Sequence, residues 1–371
     1  MKIGIDCRTA STTGGIGEYT RQLLKRLIEQ NDSDQFVLFF DDNKTADNFQ
    51  RQNAVIKIIP LNRFRRFLPI IYSQLIVPLF FLLSSCSVML FPANIAPWLY
   101  RKKFVAVIHD LAVYKFPDFF PDQLFNIDRK FLVPSTLRRA IKLIAVSQST
   151  KNDIVSLFKI NPNKVSVVYE GGDFFIFDQE QQASLKSDAL PQNFFLFLGT
   201  IEPRKNILNV LLAYQRLVID EKCDFDLFLV GKAGWKNHDI FKTIDVINEN
   251  LKTQRIRYFG YLSADDKIFL YQRAQVLILS SWYEGFGLPV AEAMYFGLPS
   301  IISPYGSLPE IGGDASLVMA DGSKEEIGLA LKKISTNEYL RQDLSLKALE
   351  RSKVFSWRLS AEKIINILKE L

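Results

Sequence analysis

Phe194-Phe195-Leu196-Phe197-Leu198-Gly199-Thr200-Ile201-Glu202-Pro203-Arg204-Lys205-Asn206 reads as a strand that runs into a turn. An unbroken apolar run bounded by polar residues marks a strand buried on both faces. Residues 207–218 then carry apolar side chains at helical spacing. Strand, glycine-bearing turn and helix form the repeating unit of a doubly wound parallel sheet. Further on, 225–230, 256–259, 276–279 and 300–302 read as strands, and 264–274 and 288–296 as helices. Pro289 lies in the first turn of the latter helix, where its missing N–H costs nothing. Helices fill 324–371. Upstream, 3–5, 36–40, 87–91, 104–108, 143–146 and 164–169 read as strands, and 19–29 as a helix. A polar stretch at 178–193 interrupts the alternation. The expected organisation is therefore two α/β domains, 1–180 and 181–356, each a doubly wound parallel sheet. A length of 371 residues, more than one core usually supports, agrees with two domains.

Composition excludes several classes. Hydrophobic residues are 48% and charged residues 23%, near the globular average, which rules out a disordered or collagen-like chain. Cys7, Cys86 and Cys223 are far apart and form no C-x-x-C, so neither a disulfide scaffold nor a structural zinc site is expected. His109 and His238 are the only histidines, too few for a histidine-rich metal centre. The chain enters a strand pattern at Lys2, so no signal peptide is expected and a cytoplasmic setting fits.

Charge is unevenly spread. Residues 1–180 hold 23 lysines and arginines against 17 acids, while the rest of the chain balances. Between Asp47 and Asp110 there is no acid, yet Arg51, Lys57, Arg63, Arg65, Arg66, Arg101, Lys102 and Lys103 are basic, and Phe64, Phe67, Trp98, Tyr100 and Phe104 lie among them. This mixture fits a solvated basic face, a polyanion or an anionic membrane surface. The membrane surface is the preferred reading, with Arg63, Arg65 and Arg66 as docking candidates, and nucleic acid is not expected as a partner. The apolar stretch 67–83 is broken by Pro69, Gln74 and Pro78 and is shorter than the ~20 clean residues a span needs. A buried or interfacial helix is expected there.

Ligands of open parallel sheets bind beyond the carboxyl ends of the strands, so the loops there hold the candidate chemistry. Gly14, Gly15 and Gly17 precede a helix, whose bare N-terminal amides can receive an anion. His109-Asp110 directly follows a strand. Arg204 and Lys205 are adjacent cations before a helix, where they oppose the helix dipole, and an anionic ligand such as a diphosphate would account for them. Ser281-Trp282-Tyr283-Glu284-Gly285-Phe286-Gly287-Leu288-Pro289-Val290-Ala291-Glu292-Ala293 places one carboxylate after a buried strand and another about one turn into the next helix. The two can fork to a ribose diol and to a sugar hydroxyl. Spacing of the two glutamates alone proves nothing; the strand, the glycines and the helix start make it informative. No tyrosine has a lysine four residues on, which excludes short-chain dehydrogenase chemistry, and no Walker A loop or H-E-x-x-H occurs. Asp224-Phe225-Asp226 resembles a metal-binding D-x-D but stands at the amino end of a strand, the wrong end for a site.

Gly-Gly-Ile-Gly-Glu-Tyr-Thr at 14–20, His109-Asp110, Val146-Ser147-Gln148-Ser149-Thr150, the segment 199–206 and Glu284 to Glu292 together resemble the family 4 retaining glycosyltransferases, the glycosyl transferases group 1. The resemblance covers nearly the whole chain in the correct order. It implies the GT-B fold: two Rossmann-like domains facing each other across a cleft, with a C-terminal helix at about 357–371 returning to the first domain. It also implies a nucleotide-sugar donor, either UDP-glucose or GDP-mannose. The implied acceptor is a saccharide or a lipid-linked saccharide in bacterial polysaccharide synthesis, and no metal or other cofactor is implied.

Site roles follow from the same resemblance. Glu292 would hold the ribose, Glu284 the donor sugar, and Arg204 with Lys205 the diphosphate, while His109 would sit at the reacting sugar. The backbone of Gly285, Phe286, Gly287 and Leu288 would touch sugar or phosphate. Gly15 would lie near the phosphates or acceptor, and Tyr261 with Leu262 would line the base pocket. A nucleotide-sugar epimerase on the same fold and a nucleotide-sugar-binding subunit without turnover are the alternatives.

Overall fold

The apolar runs of the first half form β1 (Lys2–Asp6), β2 (Gln35–Phe40), β3 (Ala54–Ile58), β4 (Val88–Phe91), β5 (Phe104–Ile108), β6 (Lys142–Ala145) and β7 (Val165–Val167). They pair in parallel in the order β3-β2-β1-β4-β5-β6-β7. The second half forms β8 (Phe194–Leu198), β9 (Asp226–Val230), β10 (Ile256–Tyr258), β11 (Val276–Leu279), β12 (Ser300–Ile302) and β13 (Ser316–Val318), paired in the order β10-β9-β8-β11-β12-β13. Both orders are of the Rossmann type. This is a computed structural model, and it describes residues 1–60, 68–121, 127–174, 185 and 190–371.

The chain divides into two compact units. One comprises Met1–Pro117, Pro121–Gly171 and Ser356–Leu371; the other comprises Asp118–Phe120 and Gly172–Phe355. The boundary expected at 180 falls among residues outside those described, and so do Arg63, Arg65 and Arg66.

Central strands match their reading because both faces are covered. Every residue of β4, β5, β9 and β11 is buried. The two strands that the sequence does not announce, β3 and β13, are sheet edges. Val55 and Val318 there are exposed, so neither strand carries a continuous buried run. The helix expected at 19–29 begins earlier, at Gly15, and the helices beyond 324 are Lys324–Thr336, Glu338–Ser352 and Trp357–Lys369. The last belongs to the first unit. Its Trp357 ring lies edge-on to Tyr19 with centroids 5.4 Å apart, and Ser360 Oγ donates to the Tyr169 carbonyl at 2.5 Å.

The stretch 67–83 is seen from Leu68 onward as an α turn Pro69–Ile71, a π segment Tyr72–Ile76 and an α segment Val77–Leu82. Tyr72, Val77 and Phe81 are buried in the core of the first unit, while Ile71, Leu75 and Leu79 are exposed. Among the described residues, no helix is long and apolar enough to cross a membrane.

Topology fixes where a ligand can approach. The strand order reverses between β1 and β4 in one unit and between β8 and β11 in the other. The loops after β8 and β11 are the segments 199–206 and 280–287, the same two that carry the conspicuous charges.

Candidate active site

In the second unit, the loops after β8 and β11 are stitched together. The Trp282 N–H donates to the Arg204 carbonyl at 2.9 Å, and Ser280 Oγ to the Lys205 carbonyl at 3.0 Å. Pro203–Lys205 is a single 3-10 turn, and Asn206 then adopts φ 59 before the helix Ile207–Glu221 begins. This geometry turns Arg204 and Lys205 toward the loop after β11.

There they meet Glu284, which is 8% exposed. Lys205 Nζ and Ser281 Oγ both donate to Glu284 Oε1, the latter at 2.6 Å. Arg204 Nη1 donates to Glu284 Oε2 at 3.2 Å and to the Tyr283 carbonyl at 2.6 Å. Arg204 Nη2 donates to Glu202 Oε1 at 2.6 Å. Two cations and two carboxylates thus form one buried, balanced cluster. Burial alone would raise the Glu284 carboxyl, but Lys205 and Arg204, with hydrogen bonds from Lys205 and Ser281, hold it at about 2. Glu202 moves the other way: burial pushes it up, and proximity to Glu284 adds to that, against the pull of Arg204 and Lys205.

Glu284 also depends on the loop after β12. Ser307 donates through its N–H to the Glu284 carbonyl at 3.1 Å and through Oγ to the Phe286 carbonyl at 2.7 Å. Gly306 lies at φ 62, and a Cβ there would stand 2.6 Å from the Glu284 carbonyl oxygen. Only glycine fits this approach. Gly285, Phe286 and Gly287 lead into the helix Leu288–Tyr295, where Glu292 is buried and its Oε2 accepts from the Tyr271 hydroxyl at 2.6 Å. Tyr271 stacks on Phe296, with centroids 5.8 Å apart. Tyr261 is exposed beyond β10, with Lys232 Nζ 5.4 Å from its ring centroid, and Leu262 follows it half-buried.

Sequence reasoning missed Glu202, Tyr271 and Ser307. Glu202 had a local signal, an acid two residues before Arg204 in the same loop. Tyr271 and Ser307 had none, because their contacts are set by tertiary folding. Asp226, the second acid of the D-x-D, accepts from Arg255 Nε at 2.6 Å and faces Arg257. Among the described residues, no group of three or more His, Cys, Asp or Glu is placed to hold a metal.

In the first unit, Gly15 is exposed at the start of the helix Gly15–Glu29. Tyr19 of that helix lies edge-on to His109, centroids 4.5 Å apart. All four polar groups of His109 are engaged. Its N–H donates to Asn94 Oδ1 at 2.7 Å, and its carbonyl accepts from Thr150 Oγ1 at 3.2 Å. Ring Nε2 meets the Pro92 carbonyl at 2.8 Å and Nδ1 meets Glu170 Oε1 at 3.1 Å. A carbonyl and a carboxylate accept, so a proton on each ring nitrogen satisfies both contacts, and the surroundings favour the charged imidazolium. Burial opposes that charge, but Glu170 (by hydrogen bond and by charge), the Pro92 carbonyl and Asp110 together raise the His109 pKa.

With only two histidines in the chain, ¹⁵N NMR reads this state directly, His238 at the exposed start of the helix His238–Leu251 serving as control. Glu170→Gln is expected to lower the His109 pKa. A group whose pKa is raised on folding stabilises below its unfolded pKa, and that contribution is lost as pH rises through the folded value. The variant should therefore lose stability at acidic and neutral pH and little at alkaline pH. An unchanged His109 titration would contradict the Glu170 contact.

Comparison with known proteins agrees with this architecture. The family model for Glycosyltransferase Family 4 matches residues 13–174, and that for Glycosyl transferases group 1 matches 178–351. O-antigen chain mannosyltransferase B of Escherichia coli is 30% identical over 271 residues, covering 72% of this chain and 70% of that protein. Serotype-specific mannosyltransferase WbdA of the same species is 29% identical over 290 residues, 74% of this chain but only 34% of that protein. Among solved structures, sucrose-phosphate synthase from Thermosynechococcus elongatus superposes with a TM-score of 0.77 at 18% identity, covering 100% of this chain and 98% of that one. Anabaena HepE in complex with UDP-glucose gives 0.73 at 17% identity, covering 100% of both chains. Two Rossmann-like α/β units, matched over the whole chain by these solved structures, give the protein the GT-B fold. The chain belongs to the group 1 glycosyltransferases.

Proposed function

We propose that this glycosyltransferase is a retaining hexosyltransferase of polysaccharide synthesis. It takes a hexose from a nucleoside-diphosphate sugar and gives it to a saccharide or lipid-linked saccharide at the inner face of the cell membrane. The observation that carries the reading is the buried Glu202–Arg204–Lys205–Glu284 cluster between the loops after β8 and β11. A buried lysine and a half-buried arginine at that end of a sheet suit a diphosphate leaving group. GDP-mannose is the preferred donor, with UDP-glucose second. The preference is supported by the mannosyltransferases that are 29–30% identical over 72–74% of the chain.

The chemistry then needs no protein nucleophile. The bond between the anomeric carbon and the diphosphate oxygen breaks, and its electron pair leaves with the diphosphate. The acceptor hydroxyl attacks the same face and passes its proton to the departing phosphate oxygen, so configuration is retained. Arg204 and Lys205 neutralise the growing negative charge without a metal. In exchange they release Glu284, which is then available to a sugar hydroxyl. Glu292, oriented by Tyr271, takes the ribose. The amides of 285–288 approach sugar or phosphate, Tyr261 and Leu262 flank the base, and Gly15 serves phosphate or acceptor. His109, engaged on both ring nitrogens, is given no proton to move.

The test is turnover with GDP-mannose and UDP-glucose, each with lipid-linked saccharide acceptors and in the presence of chelator, followed by NMR of the product. GDP release that depends on acceptor, with an α-linked mannosyl product, is expected. A β-linked product would sink retention. Donor binding with no turnover would favour the binding-subunit alternative, and a C2-epimerised donor the epimerase.

A further inference from the structure

From Leu68 to Tyr100 the chain carries no charged residue, yet part of that stretch faces outward. Ile71, Leu75, Leu79 and Leu83 recur at steps of four along the helical stretch 69–82 and its end, and all are exposed, Leu79 at 55% and Leu83 at 85%. In a plain α-helix a four-residue step drifts around the axis. The π segment Tyr72–Ile76 takes more residues per turn and reduces that drift, in keeping with the exposure of all four side chains along the stretch. At a rise of about 1.5 Å per residue the line is ~18 Å long. Leu68 and Ile70 widen its start. The opposite side, Tyr72, Val77 and Phe81, is the anchor in the core.

A cationic rim is fastened to this stripe. The Trp98 N–H donates to Gln74 Oε1 at 2.7 Å, which ties the loop before β5 to the helix and leaves the indole 51% exposed. The Arg101 guanidinium lies 5.3 Å from the Trp98 ring centroid. Lys102 Nζ donates to the Leu82 carbonyl at 2.8 Å, and Lys2 Nζ to Ser85 Oγ at 2.8 Å. Lys103 is drawn to the carbonyl of Leu371 and contributes less. An exposed apolar line of this length marks a contact surface.

We infer that the stripe Ile71–Leu75–Leu79–Leu83, with Trp98 and the rim of Lys2, Arg101 and Lys102, docks the first unit on an anionic lipid bilayer. Aliphatic side chains enter the boundary between headgroups and acyl chains, an indole settles at headgroup level, and basic residues meet lipid phosphates. A second copy of the chain fits less well, because a two-fold contact sets a patch against itself and would bring the cations together. The inference deepens the proposed lipid-linked acceptor and rests on that reading for the reaction, not for the contact.

The test is co-sedimentation of the full chain with phosphatidylcholine vesicles, with and without phosphatidylglycerol, at low and high salt. Binding is expected to phosphatidylglycerol vesicles at low salt. Leu75→Glu with Leu79→Glu should abolish it, and Arg101→Glu with Lys102→Glu should weaken it by at least about tenfold. Brominated lipid should quench tryptophan emission in the wild type, and Trp98→Phe should remove that quenching. GDP titration of each variant separates the two readings: unchanged GDP binding with lost sedimentation supports the docking face. Sedimentation of the leucine variant like wild type would overturn the inference. So would a wild type that ignores anionic vesicles, or leucine substitutions that only convert a dimer to a monomer.

Discussion

Lys205→Ala is expected to lower glycosyl transfer by about 10²- to 10³-fold, the usual effect of losing one preorganised group at a developing charge. Lys205 Nζ is buried against Glu284 and has no role on the protein surface to lose. Breaking a buried pair also costs stability, on the order of 3–5 kcal/mol, so the assay belongs well below the variant's melting temperature. Arg204 keeps Glu284 partly paired, which makes the folded variant attainable. Affinity for the nucleoside diphosphate should fall together with turnover. Near-normal turnover in folded Lys205→Ala would remove lysine from the leaving-group role.

Glu284→Gln is expected to act in opposite directions on binding and on chemistry. Glu284 holds the two cations that a diphosphate needs. Removing its charge leaves Arg204 and Lys205 balanced by Glu202 alone, a net positive cluster. Nucleoside-diphosphate affinity should rise, by about tenfold for each 1.4 kcal/mol of competition removed. Turnover should fall because the donor sugar loses its positioner. Calorimetric titration and initial rates on the same preparation separate the two effects; weakened diphosphate binding would contradict the exchange of partners. Acid behaviour gives a companion check. A carboxylate held at about 2 in the folded state stabilises above the usual carboxylate range and loses that contribution as pH falls toward 2. Glu284 therefore stays ionised between pH 5 and 8, and a rate change in that range belongs to other groups.

The doubly wound architecture was legible because the central strands of such sheets are covered on both faces. Phe104 to Ile108 and Val276 to Leu279 show this as unbroken apolar runs. Ala54–Ile58 and Ser316–Val318 did not announce themselves, since an edge strand is covered less fully and its sequence can stay mixed. The loop segments of the candidate site were equally legible, because a glycine-bearing turn between strand and helix is a local pattern. Their mutual geometry was not. Arg204 and Glu284 are 80 residues apart, and only the parallel neighbours β8 and β11 bring them within 3.2 Å. The sequence also gave no sign that the two cations are already balanced by Glu202 and Glu284. His109 illustrates the same limit. Its place after a strand was readable, but its bonds to Glu170 and Pro92 come from the ends of β7 and β4.

In the proposed reaction, the Glu202–Arg204–Lys205–Glu284 cluster receives the diphosphate of a nucleotide sugar without a metal. Titration of GDP, UDP, dTDP and ADP into the wild type and Lys205→Ala, with excess chelator, tests it most directly. One nucleoside diphosphate, GDP by preference, is expected to bind the wild type under chelation. Lys205→Ala should weaken that binding at least about tenfold, the measure of 1.4 kcal/mol lost. No binding by any of the four, binding only with added divalent metal, or equal affinity in wild type and variant would contradict it.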